Sequence, residues 1–260
     1  MERLKLGRIS YVNTLPLFYE ILRSSQASFQ LFSGVPSEIN RAFVEGQLDA
    51  ALISTFTYLK HKNFCDLVPT YCLASDGTVD SVSLFSTRPI EQLNGSTIGL
   101  TTSSATSQMI LKILLERYLG FHIHWQEMAP SVSRSKWQES FDAILLIGDD
   151  ALSLSKDTTP FCYDLGELWK QKTGAPILFA VLAKQKSVSG KSVEPVNAWF
   201  QKSLRVFEEH PEALIEFAKT HSSLKINYRE YFSKLQFVFT DASRHALSVY
   251  ENHLLEMGAV

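Results

Sequence analysis

Short apolar runs alternate with amphipathic segments along most of this chain, a pattern that predicts an α/β protein. Leu4, Leu6, Ile9 and Val12 set apolar side chains around Gly7 and predict a strand from Leu4 to Val12. Asn13 and Thr14 then precede Leu15-Pro16-Leu17-Phe18-Tyr19. A capping side chain, a proline in the first turn and an apolar face mark this as a helix start. Phe29 to Phe32 is a second short strand, Gly34 to Ser37 turns into a helix over Glu38 to Val44 that stops at Gly46, and Asp49 to Ser54 is a buried strand. Further strands are predicted over Leu67 to Ala74 and Ser81 to Thr87.

The pattern then restarts. Ser96 to Leu100 is a strand, Thr101 to Ser107 a polar loop, and Gln108 to Tyr118 an amphipathic helix. His122 to Trp125 and Ala143 to Ile147 are strands, the second emptying into Gly148-Asp149-Asp150-Ala151. After Ile177 to Ala183, an apolar strand, the chain passes through a solvent loop at Ser187 to Val193. It then turns helical over Asn197 to Glu209, Pro211 to Thr220, Tyr228 to Leu235 and Asp241 to Met257. The restart predicts two lobes: 1–88 with 178–260 forming the first, and 89–177 the second. Hinges are expected where the chain crosses, near Leu84 to Ser86 and Phe179 to Val181.

Composition narrows the function. The 25 Lys and Arg are scattered among 27 Asp and Glu, giving a formal net charge of -2, which argues against general nucleic-acid binding. The N-terminal segment has neither the apolar core of an export signal nor the length of a spanning helix, so a cytoplasmic protein without membrane association is expected. The three cysteines, Cys65, Cys72 and Cys162, match no zinc or redox spacing and are expected to be reduced thiols.

Candidate chemistry sits where strands end. Thr101 to Ser107 lies between a strand and a helix, where hydroxyls and free helix N–H groups can accept a carboxylate or phosphate without an arginine. Its bland alternative is an N-cap with surface hydroxyls. In Ser10-Tyr11-Val12-Asn13-Thr14, the Asn13 amide either caps the helix or faces a ligand as both donor and acceptor. Asp149 and Asp150 follow a strand, and cap or cleft-wall roles outrank catalysis for them. No metal signature, G-x-S-x-G elbow, G-x-G-x-x-G fingerprint or P-loop occurs, so no metal or cofactor is expected.

Six phrases in one order carry a resemblance: GRISYVNTLPLFY (Gly7 to Tyr19), EGQLDAALIS (Glu45 to Ser54), SDGTVDSVSLFS (Ser75 to Ser86), LTTSSATSQMILKILL (Leu100 to Leu115), AILLIGDDAL (Ala143 to Leu152) and YDLGELWKQKTGAPILFAV (Tyr163 to Val181). With the closing YREYFSKLQFVFT, they make the chain resemble the chorismate dehydratase family of the futalosine route to menaquinone over nearly its whole length. The resemblance implies a two-lobed fold like the type II periplasmic binding proteins, with a hinge and an interlobe cleft. It also implies conversion of chorismate to 3-[(1-carboxyvinyl)oxy]benzoate and water, so the expected partner is a small dicarboxylate. By position, Asn13 is the catalytic or orienting group. Ser10, Tyr11 and Thr14 beside it, Ser81, Ser83, Ser104, Thr106 and Ser107, and Asp149 are the expected substrate contacts.

The chain departs from the family phrase T-G-L-P-F-V-F-A followed by Trp. Ala175 replaces the leucine and Leu182 stands near the tryptophan's place, so a reshaped cleft wall is expected. Two alternatives stay open: the sister enzyme that releases 1,4-dihydroxy-6-naphthoate from cyclic dehypoxanthine futalosine, and a non-catalytic binding protein for a small carboxylate.

Overall fold

The computed structural model describes residues 3–25, 29–128, 136–154 and 159–260. Its eleven described strands form two sheets. The first sheet takes β1 (Leu4–Ile9), β2 (Phe29–Gly34), β3 (Ala50–Ser54), β4 (Cys65–Ser75), β10 (Ile177–Gln185) and β11 (Gln236–Val238), in the order β11-β4-β10-β3-β1-β2. The second takes β5 (Val82–Ser86), β6 (Thr97–Thr101), β7 (His124–Met128), β8 (Ala143–Ile147) and β9 (Phe161–Asp164), in the order β7-β6-β8-β5-β9.

Both sheets share one plan. In the first, β2, β1 and β3 run parallel and β10 lies antiparallel beside β3. In the second, β7, β6 and β8 run parallel and β5 lies antiparallel beside β8. Each therefore has a topological switch point at the carboxyl ends of its central strands, β1 with β3 and β6 with β8, and open α/β sheets bind ligands at such points. Helices cover the sheets: α1 (Leu15–Arg23), α2 (Pro36–Val44), α3 (Thr55–His61), α4 (Ala105–Lys112), α5 (Gly148–Ser153), α6 (Leu165–Thr173), α7 (Gly190–Glu209), α8 (Pro211–His221), α9 (Tyr228–Ser233) and α10 (Asp241–Glu256). All five residues of β3, and all five of β5 and of β8, are buried, as expected of strands covered on both faces.

Two expectations about the lobes are corrected here. Val82 to Ser86 pairs with β8 and β9, so this strand belongs to the second sheet rather than to a first lobe ending at 88. Leu84 to Ser86 and Phe179 to Val181 lie inside paired strands, where ladder hydrogen bonds on both sides leave no freedom for a hinge. The chain crosses instead at 76–81, between β4 and β5, and at 174–176, between α6 and β10. The predicted loop at Ser187 to Val193 is half helix, because the Ser189 hydroxyl accepts from Lys191 N–H and starts α7 at Gly190. Helix 108–118 begins three residues early and ends as a π-helical stretch, Ile113–Tyr118.

The C-terminal helices join the lobes. α7 packs along α1, with Phe200 edge-on to Phe18 at 4.8 Å. α10 reaches across to the second lobe, where Tyr250 and His253 both pack against Trp169. Among the described residues, no helix is long and apolar enough to cross a membrane.

Candidate functional site

The two switch points face each other across a narrow cavity of about 40 Å³, smaller than the roughly 300–1,000 Å³ usual for small-molecule sites. The first lobe supplies Ile9, Tyr11, Asn13, Pro36, Ser54 and Phe179 to its wall, and the second supplies Ser81, Val82, Ser104, Ser107, Ile147 and Gly148. Among the described residues, no acidic or basic side chain lines it. Polarity comes from hydroxyls, one amide and the ends of helices. Pro36 opens α2, Ser54 caps α3, Ser104 caps α4 and Gly148 opens α5. Helix N-termini present unsatisfied N–H groups and a partial positive charge, so their convergence gives an uncharged cavity an anion-attracting field.

Asn13 sits in a short 3-10 turn, Val12–Thr14, between β1 and α1. The helix starts after it without a side-chain cap. Its Oδ1 is buried and makes no hydrogen bond, so the amide is not spent on local structure. Across the cavity, Ser104 Oγ accepts from Ser107 N–H at 3.3 Å, and the two hydroxyls lie 3.0 Å apart. Tyr11 lies over Gly148, which has φ +57°, and a Cβ there would stand 2.5 Å from the ring. Gly148 N–H donates to Ser81 O at 2.6 Å, fixing the approach of α5 to the start of β5.

Five of the expected contacts point elsewhere. Ser10 is exposed and lines a separate crevice with Arg8, Asp149 and His221. Thr14 is fully buried, and its hydroxyl donates to Ile9 O at 2.8 Å and Tyr11 O at 3.0 Å, holding the turn that carries Asn13. Ser83 donates to Asp80 O at 3.4 Å, below the cavity wall. Thr106 joins the lobes: its hydroxyl accepts from Phe56 N–H at 3.0 Å and its carbonyl from Tyr250 Oη at 3.3 Å. Asp149 reaches from α5 to accept from Val12 N–H at 3.1 Å, beside the buried Arg8 guanidinium. Burial raises the Asp149 carboxyl above its usual range, and Asp150 adds to this, while the Val12 bond and Arg8 oppose it. The same burial lowers Arg8 to about 10 against the pull of Asp149. Thr14, Ser83, Thr106 and Asp149 thus brace the residues around the site without lining it.

The reshaped wall expected from Ala175 and Leu182 is likewise absent from the cavity. Both are fully buried, Leu182 opposite Leu52 in the sheet, and β10 presents Phe179 and Ala180 instead. Ser54 was missed, although it ends a strand just as the Asn13 segment does. Tyr231 was also missed: it occupies an apolar position of α9, yet its hydroxyl is buried near Ser81 and Asn13.

With this geometry in place, comparison with known proteins identifies the family. The family described as "Menaquinone biosynthesis" matches residues 4–256. The chain belongs to this family. Among curated proteins, the chorismate dehydratase of Thermus thermophilus is 32% identical over 197 residues, which is 70% of this chain and 69% of that protein. The chorismate dehydratase of Campylobacter jejuni is 29% identical over 180 residues, 67% of this chain and 64% of that protein. Among solved structures, a protein of Archaeoglobus fulgidus superposes with a TM-score of 0.80 at 15% identity, covering 99% of this chain and 98% of the other. The periplasmic aliphatic sulphonate binding protein of Escherichia coli gives 0.68 at 14% identity, covering 100% and 94%. At these identities the structures establish the fold alone: this family member is an α/β protein with the two-lobed architecture of periplasmic binding proteins.

Proposed function

We propose that this protein is a chorismate dehydratase, a carbon–oxygen lyase that converts chorismate to 3-[(1-carboxyvinyl)oxy]benzoate and water. The observation that carries the proposal is the Asn13 amide, buried at a cavity between helix N-termini with its oxygen unspent. The curated relatives named above favour the same reaction over the sister enzyme's.

The elimination breaks the ring C4–O bond and the C3–H bond, and the ring becomes aromatic. That driving force suits a site whose task is to hold one conformer and exclude water. Asn13 hydrogen-bonds the leaving hydroxyl or the enolpyruvyl carboxylate. An amide is a poor base, so the substrate's own side-chain carboxylate takes the C3 proton, and hydroxide leaving C4 is protonated to water. The other carboxylate lies at the start of α4, against Ser104 and Ser107. Each helix N-terminus contributes roughly 0.3–1 kcal/mol to holding an anion, rising to about 2 kcal/mol in partly buried geometry. Several together hold a dicarboxylate without a cation.

The test is to mix metal-free protein with chorismate and follow products by chromatography with mass detection, Asn13→Ala alongside. Loss of water to the enolpyruvyl benzoate is expected, slower by about 10²–10³ in the variant, the usual effect of removing one preorganised donor. Chorismate left unchanged by folded wild type sinks the proposal. Tight binding without turnover favours a carboxylate-binding protein instead.

A further inference from the structure

An amide that orients a substrate needs something to orient it in turn, and the bonds that hold the Val12–Thr14 turn stop at the backbone of Val12 and the hydroxyl of Thr14. Behind the cavity wall stands Tyr231. It is 3% exposed, on a short helix whose other buried residues, Tyr228 and Phe232, are core packing. Its Oη, like Asn13 Oδ1, is a buried polar atom without a hydrogen bond, and a buried polar atom in that state costs about 1–3 kcal/mol. The two orphaned atoms are neighbours: Lys234, three residues on from Tyr231, pairs with Asp80 beside Ser81, Leu235 lines the cavity together with Asn13 and Ser81, and the side chains of Asn13 and Ser81 act on the phenol as hydrogen-bond partners. Burial, together with the charges of Asp149 and Asp80, raises the phenol's pKa, so the hydroxyl keeps its proton and is available as a donor. The nearby carboxylates are engaged, Asp80 with Lys234 at 2.5 Å and Asp149 with Val12 N–H.

We propose that Tyr231 is a positioning residue for Asn13. Its O–H donates to Asn13 Oδ1 and turns the amide so that Nδ2 projects into the interlobe cavity, while Ser81 Oγ–H donates to the phenol oxygen. The polarity is fixed by chemistry: Oδ1 only accepts, so a phenol donor leaves the NH₂ as the end that meets the substrate. The activity part of this proposal rests on the dehydratase function above; the orientation of the amide does not.

Tyr231→Phe removes one oxygen and keeps the ring. The Asn13 side-chain NH₂ signal, observed in protein labelled at asparagine nitrogen and assigned by its loss in Asn13→Ala, reads the orientation without reference to any substrate. It is expected to be a single sharp pair with slow solvent exchange in the wild type, and to shift and exchange faster in Tyr231→Phe. With chorismate, kcat is expected to fall about tenfold with little change in KM, and the loss to vanish in an Asn13→Ala background, as for two residues acting as one unit. A merely structural tyrosine would lower the melting temperature without this split. An Asn13 signal that is mobile in the wild type or unmoved in the variant overturns the proposal, whatever kcat does. Wild type inactive on chorismate overturns the dehydratase function alone, and the amide signal then decides the role of Tyr231.

Discussion

Replacing Asp164 with alanine asks whether one carboxylate holds the crossing between the lobes. Asp164 ends β9 and accepts from four N–H groups: Val79 N–H, shared by its two oxygens at 3.2 and 3.0 Å, Asp80 N–H at 2.6 Å, Gly166 N–H at 2.9 Å and Glu167 N–H at 3.1 Å. It therefore caps α6 and pins the residues just before Ser81. Val79 and Gly166 are buried, so their N–H groups find no water when the carboxylate goes, while Glu167 is exposed and Asp80 partly so. Two buried donors at about 1–3 kcal/mol each set the gross loss. Relief of the burial that raises this carboxyl's pKa above its usual range offsets part of it. A net loss of about 3 kcal/mol follows, which at roughly 2–4 °C per kcal/mol for a chain of this size lowers the melting temperature by about 6–12 °C. Asp164→Asn keeps one acceptor oxygen and should lose less than half of that. Circular dichroism melting curves near neutral pH give the comparison. If the alanine variant melts within about 2 °C of wild type, below the effect of one buried donor, the clamp is not what holds the crossing.

Gly148→Ala is expected to cost about 1–2 kcal/mol for a side chain at positive φ and roughly 1–3 kcal/mol for displacing Tyr11. Melting curves should show the loss, and KM for chorismate should rise as the ring moves into the cavity. The reasoning fails if both are unchanged. His253, from α10, lies 3.0 Å from Tyr118 Oη of the second lobe. Its pKa is lowered mainly by burial, with Glu256 opposing and Arg117 adding to the effect. The unfolded chain thus takes up this proton first, so the histidine's contribution is whole above about pH 6.5 and is lost as pH falls through that value toward the lowered one. Urea midpoints at about pH 7.5 and 5.5 should differ less in His253→Gln than in wild type, and an equal difference in both would rule the histidine out as the source.

Nine of the eleven described strands were legible because alternation and capping are local; the short β9 and β11 were not predicted. AILLI predicted β8 to the residue, and the strand, polar turn and helix pattern placed Asn13 where β1 gives way to α1. α3 was missed because Thr55-Phe56-Thr57-Tyr58 reads as strand-like in isolation and becomes helical through the Ser54 cap and contacts to α4 and β10. The site divided in the same way. A hydroxyl at the carboxyl end of a strand has three fates: capping its own helix, facing the cavity, or bridging to the other lobe. Sequence distinguishes none of them, because the deciding partner is far along the chain. Thr106 meets Phe56 N–H and Ser107, one residue on, lines the cavity, since successive residues of a helix point about 100° apart. Asp149 and Tyr231 sharpen the point. Both sit in segments that look like cap and core, yet each acts on the turn that carries Asn13 from more than a hundred residues away, one through Val12 N–H and the other through the amide itself. Asp149 makes its bond from the opposite lobe and Thr14 makes its two from the same lobe, so the turn that carries Asn13 is held from both sides of the cavity.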